Sequence, residues 1–382
     1  MDFALSDEQR LLRDEIVRFA KHELSPDARQ RDRTGAFSRD LWARCADMGL
    51  LGLPVPNEYG GAGLDPVSTA VALEALGYGC EDGGLVFSLC AHLLACVVPI
   101  WLEGSEEQKH RLLPGLCDGS RIAVNAMTEP DSGSDAFAMA TRAEPDGDGF
   151  RLSGAKTFCS NAPIADLALV YAITDPEKGY HGGITAFLIE TGSDGFKVGQ
   201  TFEKMGLRTS PIGEVVLDDV RIPSHDILGE VGAGATIFVQ SMEWERTLIA
   251  ACHVGAMQRL LERSIEYART RTASGQAIGK FQAVSHRIVE MKIRLDAARL
   301  LVRHAAWRLG RFRDVAVDAS VAKIFVSESL VETALDSVRT LGGYGFMTEY
   351  DVERTLRDAV GGLLYSGTND VQRNVIARWL GL

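Results

Sequence analysis

Ala126-Met127-Thr128-Glu129-Pro130-Asp131-Ser132-Gly133-Ser134-Asp135 follows an apolar segment with a run of hydroxyls, small residues and acids, closed by a Gly turn. Such a run offers many backbone N–H groups and short side chains to a polar heterocycle or a phosphate. Taken alone it also reads as a plain polar turn. Some twenty residues on, Ser153-Gly154-Ala155-Lys156-Thr157-Phe158-Cys159-Ser160-Asn161-Ala162 reads as a hairpin followed by a strand ending in small polar groups. The pair is more specific than either member.

Together the two stretches resemble the flavin-binding signature of the acyl-CoA dehydrogenase family, in which a T-E-P-x-x-G-S-D loop and a following N-G-x-K-x-W-I-T-N strand embrace an isoalloxazine. The first motif is intact and the second is altered, with Phe158 where the family usually has Trp and Ser160 where it usually has Thr. An aromatic ring still covers a flavin, and a hydroxyl still donates to its N5. The resemblance implies FAD as cofactor and an α+β fold: an N-terminal helical domain, a central antiparallel β domain and a C-terminal four-helix bundle.

A chain of 382 residues, 46% hydrophobic, is long enough for two or three domains with their own cores. Its net charge of −12 argues against non-specific binding to nucleic acid or an anionic membrane. The most apolar run, Leu85 to Ile100, holds Ser88 and His92 and is short for a bilayer span, so it reads as a buried helix. The start Met1-Asp2-Phe3-Ala4-Leu5 lacks the basic and apolar regions of a secretory signal, which leads to an expected cytoplasmic location. Seven scattered cysteines without C-x-x-C spacing point to reduced, buried thiols rather than disulfides or zinc. No bound metal is expected.

Helical signals fill the first third: a Ser6/Gln9 capping box, Leu41–Leu50, Ser68–Leu76, Leu85–Val98, and a second box from Ser105 to Gln108 opening a helix that Pro114-Gly115 ends. Between Ile122 and Gly229 short β-rich runs dominate, among them Leu167–Tyr171, Ile184–Ile189 and Glu214–Leu217, with turn clusters such as Asp146-Gly147-Asp148-Gly149. Helical periodicity returns after Gly234. Ile288, Met291, Leu295, Ala298 and Val302 line one helix, and Val317, Val321, Ile324, Val331, Leu335 and Val338 another. The expected boundaries are 1–121, 122–232 and 233–382. Gly232-Ala233-Gly234 is followed by Ile237 where a third Gly would stand, which disfavours a Rossmann domain.

Oxidising Cα and Cβ of a thioester needs a base for the acidified α-proton and a hydride acceptor on the opposite face. In the family the base is commonly the Glu of an I-Y-E-G-T motif, but the matching segment here is Leu364-Tyr365-Ser366-Gly367-Thr368, without a carboxylate. The other place is one residue before an Arg on the first helix of the bundle, as in isovaleryl and long-chain members. Met242-Glu243-Trp244-Glu245-Arg246 matches it. Glu245 shares an apolar stripe with Ile249, Cys252 and Ala256, and is assigned as the base; the competing reading is an ion pair with Arg246 or Arg269. Glu243 falls on another side as an ordinary solvated acid.

The resemblance carries cofactor contacts to Met127, Thr128, Ser134, Phe158 and Ser160, and, from the bundle, to Arg271, Gln282, Gly342, Gly343 and Thr368. Substrate contacts fall to Arg246, Tyr365 and Ser366. In the family the arginine turn and the Gly pair reach the ADP portion from a neighbouring subunit, which implies a homotetramer. Here Ser274 replaces the aromatic of that turn and Arg339 the Gln before the Gly pair. A solvated helix-end charge and a simple turn are the other readings of Arg271 and the glycines.

Three segments, Ser88–Cys96, Ser160–Asp166 and Ser366–Asp370 with the ending Ile376–Leu382, are similar to the prolyl-carrier-protein dehydrogenases of pyrrole natural-product pathways. The implied partner is a carrier protein with a phosphopantetheine-linked acyl or aminoacyl group, prolyl first, with an electron-transfer flavoprotein or O₂ as electron acceptor. Short or branched-chain acyl-CoA oxidation, flavin monooxygenation and non-catalytic carrier binding are the alternatives.

Overall fold

The computed structural model describes residues 4–312 and 314–382. It opens with α1 (Asp7–Phe19), closed at its start by the reciprocal Ser6/Gln9 capping box, and continues with α2 (Ala28–Thr34) and α3 (Arg39–Asp47). α4 (Pro66–Gly79) starts where Asp65 accepts from the N–H groups of Val67 and Ser68, with Pro66 at a position that needs no N–H. Residues 83–103 form one apolar helix: α5 (Gly83–His92), a π-helical turn (Leu93–Val97) and α6 (Val98–Glu103). Its length and hydropathy would suit a membrane span, but 78% of its most apolar window is buried inside the fold. Leu85, Leu89, Leu93, Leu94 and Ile100 are fully buried, each contributing about 1.5–3 kcal/mol of transfer free energy. In α7 (Glu106–Cys117) the expected stop at Pro114 does not occur. The proline sits in the last turn, where one N–H is lost, and the helix runs on to Cys117.

Eight strands follow: β1 (Ala123–Ala126), β2 (Arg142–Asp146), β3 (Gly149–Ser160), β4 (Leu167–Ile173), β5 (Ile184–Glu190), β6 (Phe196–Thr201), β7 (Ile212–Ile222) and β8 (Ile227–Leu228). The order is β6-β7-β3-β2-β4-β5-β8, mostly antiparallel, with β1 running parallel to β4. The hairpin expected within Ser153–Ala162 lies earlier, where Gly147 (φ 63°) turns β2 into β3, so Ser153–Ser160 is strand throughout. β4 and β5 are buried on both faces rather than alternating. Val170 and Phe187 enter the core of the sheet, while Leu169, Tyr171 and Leu188 pack on the helices.

The C-terminal part comprises α8 (Gly234–Thr270), a hairpin of β9 (Thr272–Ala273) and β10 (Gln276–Ala277), α9 (Gln282–Leu309), α10 (Ala316–Leu341), α11 (Gly343–Phe346), α12 (Val352–Gly361) and α13 (Asn369–Trp379). α8, α9 and α10 are the long members of the bundle, and α12 and α13 share the fourth place against α10. α8 also packs along α4. A Cβ at Gly77 would overlap the Cys252 carbonyl and one at Gly255 the Glu74 carbonyl, so the two backbones touch. At its other end, a Cβ on Gly234 would crowd the main chain of Ile184 and Thr185, which seats α8 directly on β5.

The α9 stripe is buried as expected at Met291, Leu295, Ala298 and Val302. The α10 stripe is not: Val321 and Leu335 are 36% and 45% exposed, and the buried face carries Ala319, Ala322, Val326, Leu330 and Ala334. Small side chains let α10 approach α8 closely and leave the larger ones outside. All seven cysteines are buried and free of disulfides.

Candidate active site

A cavity of about 720 Å³ opens between the sheet, α5, α8 and the loop before α13. Met127, Thr128, Ser134, Phe158 and Ser160 line it from the sheet, Glu245 from α8, and Tyr365, Ser366 and Thr368 from the loop. Residues far apart in sequence therefore meet on one space.

On the sheet side, the two motifs are fastened to each other by charge. Lys156, fully buried, donates from Nζ to Glu129 Oε1 at 2.8 Å and to the Met127 carbonyl at 3.1 Å. Glu129 also accepts the N–H groups of Ala140 and Thr141. Burial pushes the Glu129 carboxyl up, but Lys156 and the two N–H donors outweigh it and hold the group below its ordinary range. The Thr157 N–H closes the junction on the Thr128 carbonyl at 2.8 Å. Next along β3 the register slips, Phe158 takes φ 53°, and its ring is left 61% exposed at the cavity. This is a β-bulge re-aiming one side chain.

On the helical side, Glu245 is 7% exposed, and Ser366 Oγ donates to its Oε1 at 2.6 Å. Ser366 has a left-handed backbone (φ 57°), and its carbonyl accepts from Arg246 Nε at 2.9 Å and Gln372 Nε2 at 3.3 Å. Arg246 is thus a support for the Ser366 loop and is not among the side chains lining the cavity. Burial raises the Glu245 carboxyl above its usual range, while the Ser366 hydroxyl, Arg246 and Lys323 pull it back. Removing the hydroxyl in Ser366→Ala raises it further. A base must be ionised to act, so the acid limb of the kcat/KM profile should move to higher pH. An unmoved limb in that variant would show that the hydroxyl does not govern the carboxylate.

Glu243 is not the solvated acid expected. It is 8% exposed, and burial followed by repulsion from Asp314 pushes its carboxyl up to about 7. The packing around α8 covers this side chain, although Val239, Gln240 and Arg246 beside it are only partly buried. Glu243 does not line the cavity. Two other acids do, Glu129 and Asp358. The first is engaged as described; the second, raised to about 6 by burial, accepts the Leu207 N–H at 2.5 Å. Glu245 Oε2 has no partner among the described residues, which leaves it free to accept a proton.

Tyr365 donates to or accepts from His253 Nε2 at 2.7 Å and packs on Phe87 with ring centroids 4.6 Å apart. Behind it, Lys323 is 3% exposed and donates to Asn369 Oδ1 at 2.6 Å. Arg271, Gln282, Gly342 and Gly343 lie apart from the cavity. All four are exposed, and Arg271 stands over the Tyr344 ring, 5.7 Å from its centroid, near the Gly pair.

Comparison with known proteins sets this geometry in context. Models of the acyl-CoA dehydrogenase N-terminal, middle and C-terminal domains match residues 6–120, 125–220 and 232–381. The chain belongs to the acyl-CoA dehydrogenase family. Among its relatives in that family, an L-prolyl-[peptidyl-carrier protein] dehydrogenase of Serratia sp. is 43% identical over 382 residues, 100% of this chain and 99% of the relative. The crystal structure of the prolyl acyl carrier protein oxidase AnaB superposes with a TM-score of 0.97 at 43% identity, covering 99% of this chain and 100% of that one. A structure of PigA with FAD and proline gives 0.98 at 43% identity, with complete coverage of both chains.

Sequence reasoning missed Lys156, Glu129 and Lys323 as supports of the site and Asn125 as part of its wall. Lys156 and Glu129 stand inside the two motifs as one cation and one anion, but their burial and pairing show only in the structure. Lys323 carried no signal, since a lone lysine on a helix normally faces solvent.

Proposed function

We propose that this protein is an FAD-dependent dehydrogenase of an L-prolyl group held as a thioester on the phosphopantetheine arm of a carrier protein. The observation that carries this reading is the buried carboxylate of Glu245, one oxygen held by Ser366 and the other without a partner among the described residues, on the wall of a cavity lined by the two flavin-signature stretches. Full-length similarity to prolyl-carrier dehydrogenases names the acyl group.

The residues present fit the cofactor. Thr128, Ser134 and Ser160 make no side-chain hydrogen bond within the described residues, and the Phe158 ring presents an uncovered face beside them. Unsatisfied hydroxyls around an aromatic plate complement a planar heterocycle rich in nitrogen and oxygen. Bound there, FAD supplies the hydride acceptor. Glu245 takes the α-proton, whose release the thioester carbonyl favours, and its raised affinity for a proton in the dry pocket matches that task. The Ser366 hydroxyl keeps the carboxylate in one rotamer, and Arg246 and Gln372 keep Ser366 in place. Tyr365 and Phe87 close the apolar wall and exclude water.

Carrier docking and a homotetramer belong to the same proposal. Val289, Ile293, Leu300 and Trp307 recur at helical spacing on the outside of α9 and are 42–55% exposed, beside the uncovered Val321 and Leu335 of α10. An apolar face of this kind suits a second copy. Arg271, Gln282, Gly342 and Gly343, remote from their own cavity, are then available to a neighbour's cofactor.

The deciding experiment offers the purified holoenzyme L-prolyl carrier protein, short acyl-CoAs and O₂ in parallel. Oxidation of the prolyl carrier is expected. Turnover of the CoA esters alone, or oxygen from O₂ in the product, would overturn the reading.

A further inference from the structure

Within α5–α6 the Ala95 carbonyl has lost its ordinary helical donor, because the residue four positions on is Pro99, which has no N–H. The defect falls in the π-helical turn Leu93–Val97, at the wall of the cavity. Asn125, on β1, repairs it: Nδ2 donates to the Ala95 carbonyl at 2.9 Å. That bond fixes which end of the amide is which. Oδ1 is turned away from Ala95 and makes no hydrogen bond of normal geometry among the described residues.

Asn125 lines the cavity together with Ala91, Ala95, Phe238, Met242 and Glu245. Four of those neighbours are apolar, and Ala91 and Ala95 leave room for a small ring. Behind the amide, the hydroxyl of the fully buried Tyr171 lies close to Asn125 and Ser241 without making a hydrogen bond of normal geometry to either. The cavity wall near Glu245 therefore carries an amide oxygen, oriented by the Ala95 bond, that makes no hydrogen bond of normal geometry within the protein.

We propose that Asn125 Oδ1 is the acceptor for the ring N–H of the substrate, and that it selects aminoacyl over plain acyl thioesters. The inference rests on the prolyl reading above. A prolyl nitrogen retains an N–H whether neutral or protonated, so the bond survives either state. A carbocyclic or straight acyl group puts a methylene there and leaves a desolvated carbonyl without a partner, the situation in which a site discriminates most strongly. Asn125 positions and selects; the proton chemistry stays with Glu245.

The test uses equilibrium binding to the holoenzyme, so that it does not depend on turnover. Two stable analogues of the pantetheine arm are compared by calorimetry, L-prolyl and cyclopentanecarbonyl, each joined through an amide nitrogen in place of the reacting sulfur. The parent should bind the prolyl analogue at least about tenfold more tightly. Asn125→Leu, of similar volume but without an acceptor, should erase that ratio with little change for the carbocycle. If Asn125→Leu fails to retain flavin, Asn125→Ala makes the same comparison. An undiminished ratio in the Leu or Ala variant overturns the inference while leaving the prolyl reading intact. A parent that shows no preference and oxidises only acyl-CoAs removes both.

Discussion

Glu245→Gln should keep the flavin spectrum and the thermal midpoint of the parent while losing about a thousandfold or more of its turnover on the carrier-bound substrate. The amide has the same shape and still accepts from Ser366 Oγ through its carbonyl oxygen, so the loop before α13 stays in place. What it cannot do is take a proton. Burial that raises the carboxylate also makes the neutral amide easy to accommodate, which is why stability should not suffer. Asp358→Asn provides the contrast. That acid also has a raised proton affinity and lies on the cavity wall, but it is occupied by the Leu207 N–H, so its loss should reduce turnover far less. Near-parental turnover in Glu245→Gln, or a larger loss in Asp358→Asn, would move the base elsewhere. Stopped-flow measurement of flavin reduction separates the two.

Lys156→Met should be the most destabilising of these changes, by about 3–5 kcal/mol, with flavin lost during purification. The methionine fills the space, but Glu129 is left as a buried anion facing only the N–H groups of Ala140 and Thr141. Removing both charges in Lys156→Met with Glu129→Gln should recover most of the loss, because a buried ion pair is costly mainly when half of it is taken away. Urea unfolding of the three proteins reads this directly. A single variant as stable as the parent, or a double variant no better than the single one, would mean that the pair does not fasten the two motifs.

The parts of this molecule legible in its sequence are those encoded by local rules. Capping boxes at Ser6 and Ser105 and the β-rich runs were readable because neighbours in sequence decide them. The family resemblance pointed to Glu245 once Ser366 brought no carboxylate, and the structure puts that side chain on the cavity wall. Its hydrogen bond to Ser366 was not readable, because the partners are 121 residues apart and meet only through a left-handed backbone held by Arg246. The α10 face was misread for a physical reason: hydropathy ranks Val321 and Leu335 above Ala319 and Ala334, whereas close helix packing selects for smallness. Glu243 was misread because tertiary packing covers its face of α8, which helical spacing alone does not reveal.

The seat of α8 on β5 at Gly234 carries one more implication. The proposed proton acceptor rides on the helix, the proposed hydride acceptor on the sheet, and Gly234 is where those two carriers are joined without a side chain between them. A wedge as small as one methyl group at that joint would tilt one carrier against the other and lengthen the span across which both hydrogens must leave together. On the proposed mechanism, catalytic spacing is thus set at Gly234, about three helical turns away from Glu245.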